Sequence, residues 1–208
     1  MFDFQGIILS APAILFGLTI HEFSHGWVAW RLGDPTAKMM GRLTLNPLKH
    51  LDPIGTIALF LFRFGWAKPV PIDPRNFRHP TRDLAISGLA GPAANLLTAA
   101  VAGLILRGLI LLHVGGFVAT LTAYFVIFNL ILCFFNLIPI PPLDGSRLLL
   151  HLLPPSLAAG YAQIERYGFI ILIGIILLGQ VTNINILWLY MGPLLRIFSQ
   201  LFVGQPIA

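Results

Sequence analysis

The sequence predicts an all-α polytopic membrane protein with about five transmembrane helices and a small β or re-entrant segment between the first and second long spans. The chain has 208 residues, of which 57% are hydrophobic and 10% are charged, whereas soluble domains carry about 25% charged residues. Several uncharged runs also reach the roughly 20 residues that a helix needs to cross the hydrocarbon core. We therefore expect residues 1–208 to form a single membrane domain.

The first span is the apolar run that starts near Phe4 and continues through the motif HEFSH, which predicts a helix over about 6–31. A cleaved signal peptide would need a basic region before the apolar run and a small-residue cleavage site after it. Here the first ionisable side chain is Asp3, and the apolar run leads directly into HEFSH. We therefore expect this run to be a helix of the membrane domain.

The segment 32–83 separates the first two spans and is basic. Nine of the 13 Lys and Arg residues lie within residues 31–82, so the positive-inside rule predicts that this segment is cytoplasmic. This distribution explains the formal charge of +5 without a nucleic-acid partner. Within the segment, GRLTLNP (41–47) alternates like a short strand, and KPVPID (68–73) predicts extended chain. The apolar run 54–64 is too short to span and predicts a re-entrant or interfacial element.

The rest of the chain predicts four further spans and a break between them. Uncharged runs predict spans over about 84–112 and 117–138. Prolines then break the helix at 139–143, and an Asp-Gly pair begins the next one. The last long apolar run contains the polar stretch TNIN (182–185), which predicts two C-terminal spans over about 164–181 and 184–203. The alternative is one long helix with these polar residues in its middle.

The motif HEFSH places three titratable groups inside an apolar span. Residues i and i+4 share one face of a helix, so His21 and His25 can direct two imidazoles at one ion. Glu22 follows the first histidine and can accept a proton from a water on that ion, which is the HExxH arrangement of zinc hydrolases. The alternative is an ordinary helix surface, but ionisable residues inside a membrane are rare and usually functional.

Asp144 is the predicted third metal ligand, because a catalytic zinc site usually has three protein ligands and an open position. The other carboxylates and histidines lie in termini, basic segments and connections. Asp144 instead closes the proline-rich stretch FFNLIPIPPLDG, and irregular backbone at membrane depth is tolerated only beside protein or a water-filled cavity. The alternating topology also places HEFSH and Asp144 near the same cytoplasmic face. A simple Asp-Gly turn or helix cap is the alternative.

Three motifs together resemble the site-2 protease family of intramembrane metalloproteases, in its short, PDZ-less branch: HEFSHGWVAWRLGDPTA (21–37), GPAANL (91–96) and NLIPIPPLDG (136–145). The resemblance implies that His21, His25 and Asp144 bind one zinc ion per chain and that Glu22 is the catalytic acid/base. It also implies that Asn95 contributes to the active-site region, by contacting substrate backbone or the developing oxyanion. By residue type alone, Asn95 can equally bond between helices.

The predicted function is hydrolysis of peptide bonds within or near transmembrane segments, as in regulated intramembrane proteolysis. The predicted partners are transmembrane protein or peptide substrates and the lipid bilayer. We expect a multi-pass protein of a bacterial or archaeal cell membrane. One alternative is a non-catalytic zinc transporter or scaffold, which would not need the glutamate of HExxH. Another is a zinc hydrolase of small lipids or soluble peptides, because the metal ligands do not specify the substrate.

Overall fold

A computed structural model describes residues 4–62, 65–182 and 185–207. Within these residues the chain folds into nine α-helices joined by short connections. They are α1 (Phe4–Arg31), α2 (Thr36–Met39), α3 (Pro53–Phe62), α4 (Pro80–Leu111), α5 (Phe117–Asn136), α6 (Asp144–Leu152), α7 (Pro155–Ile164), α8 (Gly168–Thr182) and α9 (Ile186–Val203).

The prediction of an all-α multi-pass membrane protein is confirmed. Four helical stretches among the described residues are long and apolar enough to cross a membrane: Pro80–Leu111, Phe117–Asn136, Pro155–Gly179 and Ile186–Val203. The third combines α7 and most of α8 through the short turn Glu165–Tyr167. The 28-residue α1 is present but is not among these four, so the predicted number of five spans is not supported.

The predicted β or re-entrant segment is not supported either. In the described part of 32–83 no strand forms, and the pairing there is one isolated antiparallel bridge between Leu51 and Ala67. The stretch 41–47 is irregular, because its peptide groups bond in local turns and to side chains, as between Asn46 N–H and the Thr44 hydroxyl. Most of the run 54–64 belongs to the single helix α3, and its residues 63 and 64 lie outside the described residues.

Helix α4 is central to the bundle, where it packs against α1, α5, α6 and α9. Small residues permit this close packing, as expected where helices associate in a membrane. A Cβ atom at Gly103 would lie only 2.5 Å from Cβ of Phe202. The apolar core between α4, α5 and α9 includes Leu130 and Leu195, each 1% exposed. This packing brings both α1 and α6 against α4.

The proline-rich connection after α5 turns the chain back towards α4. Helix α5 ends at Asn136 and α6 begins at Asp144. Gly145 makes the turn possible, since a Cβ atom there would collide with the carbonyl of Leu137 and lie 2.7 Å from the carbonyl oxygen of Ile138. The connection therefore places Asp144 at the start of a helix that faces α4.

Candidate metal centre

The two histidines of HEFSH and the aspartate of LDG meet inside the helix bundle. Nε2 of His21 and Nε2 of His25 are 3.0 Å apart, and each lies 3.1 Å from Oδ2 of Asp144. All three residues are buried. Across the described residues, this is the one group of three or more His, Cys, Asp or Glu side chains close enough to hold a metal ion.

The hydrogen bonds behind the two imidazoles fix which nitrogen faces the centre. Nδ1 of His21 lies 2.6 Å from Oδ1 of Asn95, and Nδ1 of His25 lies 2.7 Å from the carbonyl oxygen of Ser87. Both partners are acceptors, so each Nδ1 carries the hydrogen and each Nε2 of a neutral imidazole presents a lone pair. Two such lone pairs and a carboxylate oxygen at 3.0–3.1 Å repel one another unless a cation lies between them.

The donor set fits zinc. Two imidazoles and one carboxylate are zinc ligands, and three protein ligands leave the fourth position open, as in catalytic sites. Bonds of about 2.0–2.1 Å at tetrahedral angles would separate the ligand atoms by about 3.3 Å, close to the separations of 3.0–3.1 Å found here. Orientation of the ligating histidines by acceptors on their far side is also typical of zinc sites.

Gly91 of the GPAANL motif provides the space for both imidazoles. A Cβ atom at this position would collide with Nε2 of His25 and lie 2.7 Å from Cε1 of His21. The absence of a side chain therefore lets α4 approach α1 directly at the metal centre. The sequence motif by itself does not indicate which side chains the glycine faces.

Glu22, the predicted acid/base, is also buried. Its Oε2 accepts a hydrogen bond of 2.8 Å from the backbone N–H of Val70. Val70 lies in the stretch 68–73, which has no regular secondary structure and is far from Glu22 in the sequence. The sequence does not reveal this contact, because nearly every residue has a backbone N–H and the residue type does not show which one reaches Glu22.

Asp144 has a charged neighbour that the sequence analysis did not identify. Nη1 of Arg147 lies 3.8 Å from Oδ1 of Asp144, one helical turn along α6. This is the carboxylate oxygen that points away from the two histidines, since Oδ2 faces them. The spacing i, i+3 on a helix could have revealed the pair.

Asn95 is completely buried and its side chain is fully hydrogen-bonded. Its Oδ1 accepts from His21, while its Nδ2 donates to the carbonyl oxygen of Gly17 at 3.0 Å and to Oδ1 of Asn129 at 2.9 Å. Both Nδ2 hydrogens are thus used between helices. The contact with substrate or oxyanion stays a prediction, whereas the contact with His21 makes Asn95 part of the metal centre's support.

Taken together, these features define a histidine–carboxylate metal site with an adjacent glutamate, built where α1 and α6 pack against α4, a helix long and apolar enough to cross a membrane. Residues 108–179 match the model of peptidase family M50. The chain is 39% identical over 207 residues to the "Putative zinc metalloprotease YwhC" of Bacillus subtilis, an alignment covering 93% of this chain and 91% of the relative.

Two mycobacterial relatives align over a smaller part of their length. The "Putative zinc metalloprotease Rip2" of Mycolicibacterium smegmatis is 33% identical over 80% of this chain and 65% of its own length, and that of Mycobacterium tuberculosis is 30% identical over 76% and 62%. No solved structure matches the chain significantly. The chain belongs to peptidase family M50, the site-2 protease family, and its metal is zinc.

Proposed function

We propose that this membrane zinc metalloprotease is an intramembrane endopeptidase of the site-2 type, which hydrolyses peptide bonds within or near transmembrane segments of other proteins. The observation that carries the proposal is the buried cluster of His21, His25 and Asp144 beside Glu22, packed against α4, a helix long and apolar enough to cross a membrane. A metal centre placed in this way acts where substrate segments cross the bilayer.

His21, His25 and Asp144 would hold the zinc ion, which when bound would supply activation of a water molecule and polarisation of a carbonyl group. Glu22 takes the proton of the attacking water and delivers it to the departing amine, which is general acid/base catalysis. The N–H of Val70 holds Oε2 of Glu22, so Oε1 is the oxygen available for proton transfer. The helices around the cluster exclude bulk water and so strengthen the electrostatic interactions within it.

The proposed topology places the basic segment 31–82 in the cytoplasm. The concentration of nine Lys and Arg residues there supports this orientation. The motif HEFSH on α1 and the connection that ends at Asp144 would then both lie near the cytoplasmic face of the membrane. We propose transmembrane proteins as substrates and the bacterial or archaeal cell membrane as the location.

A non-catalytic zinc transporter or scaffold is the alternative, and the position of Glu22 counts against it. A transport site needs no carboxylate next to the first ligand. Here the carboxylate is buried and bonded to a backbone N–H from a distant segment, an arrangement that fixes it beside the metal centre.

The test compares wild type with Glu22→Gln in detergent, using a transmembrane peptide and a soluble peptide of the same scissile sequence. General acid/base groups contribute about 10²- to 10⁴-fold to rate, so we expect Glu22→Gln to bind zinc normally and to lose at least about 100-fold in cleavage. Glu165→Gln makes the same chemical change at an exposed position and should cleave at the wild-type rate.

Two results would contradict the proposal. If wild type binds zinc but cuts neither peptide, the transporter or scaffold reading is favoured. If it cuts the soluble peptide and leaves the membrane peptide intact, the protein is a zinc peptidase with a different class of substrate.

A further inference from the structure

The carboxylate of Glu22 is held by a segment without regular secondary structure. Residues 68–76, called the strap here, have no regular secondary structure up to Asp73 and end in the short 3₁₀ turn Pro74–Asn76. Neither a helix nor a strand holds the Val70 N–H in place, so its position depends on contacts elsewhere along the strap. These contacts decide where Oε2 of Glu22 lies.

The centre of the strap lies directly on the helix that carries Glu22. Val70 is 6% exposed, and its Cγ1 would be 3.0 Å from a Cβ atom placed on Gly26. Gly26 is one helical turn beyond Glu22 on the same face of α1. The glycine lets the strap approach closely enough for the Val70 N–H to reach the carboxylate.

The beginning of the strap is tied to the preceding basic segment. Nη2 of the buried Arg42 donates to the carbonyl oxygen of Lys68 at 2.7 Å, and the N–H of Lys68 donates to the carbonyl oxygen of His50 at 2.8 Å. These bonds fix the strap two residues before Val70. The other end of the strap, after Val70, needs contacts of its own.

The far end of the strap is tied to Asp34, which follows α1 and is fully buried. Oδ2 of Asp34 accepts from the backbone N–H of Asp73 at 2.8 Å, and Oδ1 accepts from Nδ2 of Asn76 at 2.8 Å. Oδ1 also accepts from the N–H and the hydroxyl of Thr36. The Asp73 side chain turns outwards to Arg75 and leaves its N–H to Asp34.

We propose that Asp34 is a positioning residue for the general base: it fixes the strap to the end of α1 and thereby sets the Val70 N–H against Glu22. Glu22 lies on α1 and Asp34 follows the end of that helix, so the base and one attachment of the strap belong to the same part of the fold. This inference rests on the proposed function, because it assigns Asp34 a role through Glu22.

The isosteric variant Asp34→Asn separates the two faces of the carboxylate. An asparagine side chain has one acceptor oxygen. It can therefore accept either from Thr36 and Asn76 or from the Asp73 N–H, but not from both groups of donors. Misplacement of a catalytic group by about 1 Å can cost about 100-fold. We expect kcat for the transmembrane peptide to fall about 10- to 100-fold, with KM and zinc affinity unchanged.

Asp52→Asn is the matched control. Asp52 is an aspartate in the same basic segment whose Oδ1 accepts from the Gly55 N–H at the start of α3, a bond that the oxygen of an asparagine can also accept. It should keep the wild-type kcat. Asn76→Ala removes the second tether at an exposed position, where folding is not at risk, and should also lower kcat without changing zinc affinity.

A double-mutant cycle distinguishes positioning from a general structural role. Val70→Ala and Val70→Pro both remove the valine side chain that packs on Gly26. Only Val70→Pro also removes the backbone N–H that Glu22 accepts from. Val70→Pro should lose far more activity than Val70→Ala. Adding Asp34→Asn to Val70→Pro should lower kcat no further, because residues that act through one contact are not additive.

Three outcomes would overturn the inference. The first is that Asp34→Asn and Asn76→Ala have the same kcat as Asp52→Asn. The second is that the losses in kcat from Asp34→Asn and Val70→Pro multiply in full in the double variant. The third is that zinc affinity falls in parallel with kcat. In each case Glu22→Gln still reports on the proposed function separately. Inactive Glu22→Gln with fully active Asp34→Asn would reject the positioning role and leave the protease assignment intact.

Discussion

Oδ1 of Asn95 lies 2.6 Å from Nδ1 of His21, so a fully buried amide on α4 sets the tautomer and orientation of the first metal ligand on α1. The same amide bonds to Gly17 and Asn129 and connects three helices at one point. Support behind the ligands is therefore part of the zinc site and can be tested through zinc affinity.

We expect Asn95→Ala to weaken zinc binding by about 10- to 100-fold, the usual effect of removing the hydrogen-bond partner of a ligating histidine. The measurement is zinc affinity by competition with a chelator. Thr98→Val is the control, because the Thr98 hydroxyl bonds only within α4, to the carbonyl oxygen of Ala94. Equal zinc affinity in Asn95→Ala and Thr98→Val would refute the supporting role.

Gly91→Ala should abolish zinc binding, since its methyl group would occupy the space of the His25 and His21 imidazoles. Gly108→Ala makes the same change on the same helix, where nothing lies within 4 Å of the new Cβ atom. It should bind zinc normally and be slightly more stable, because alanine favours helix over glycine by about 1 kcal/mol. Zinc content by elemental analysis checks both variants, and a zinc-loaded Gly91→Ala would disprove the packing explanation.

Removal of zinc with a chelator should abolish cleavage and lower the thermal unfolding temperature. Without a cation, three acceptor atoms remain buried at 3.0–3.1 Å from one another. A ligand present at about 1,000 times its Kd stabilises the folded state by about 4 kcal/mol. Zinc should restore both properties and magnesium should not, because magnesium prefers oxygen ligands. Undiminished cleavage after complete chelation would contradict a catalytic role for the metal.

The contribution of Asp34 to stability should depend on pH. Burial raises the pKa of Asp34, but hydrogen bonds from Thr36, Asn76 and the Asp73 N–H outweigh this and hold the pKa below its ordinary value of 3.8. A lowered folded-state pKa means that the stabilisation is complete above the unfolded-state value and is lost as pH falls through the folded-state value. Wild type should therefore exceed Asp34→Asn in stability at neutral pH and lose this advantage below pH 3.8.

Thermal unfolding of both zinc-free proteins between pH 7 and pH 3 measures this difference, and the absence of zinc removes the effect of histidine protonation on metal binding. An advantage of wild type that stays constant with pH, or grows on acidification, would show that the carboxylate charge does not contribute.

The sequence by itself determined the membrane class, the shared face of His21 and His25, the acid/base candidate Glu22, and Asp144 as the carboxylate after a helix break. These features are local, because helical periodicity, proline and charge act within a few residues. The strand expected in 41–47 was wrong, since alternation predicts a strand only where a partner supplies the ladder hydrogen bonds.

Only the tertiary structure decided what surrounds the ligands. The Val70 N–H at Glu22, the tethering of the strap by Asp34, and the place of Gly91 against the imidazoles join residues that are distant in the chain. A backbone donor is present at nearly every residue, and a glycine is compatible with many neighbours. Their roles here arise from the packing of α1 against α4 and the strap, which the residue types do not specify.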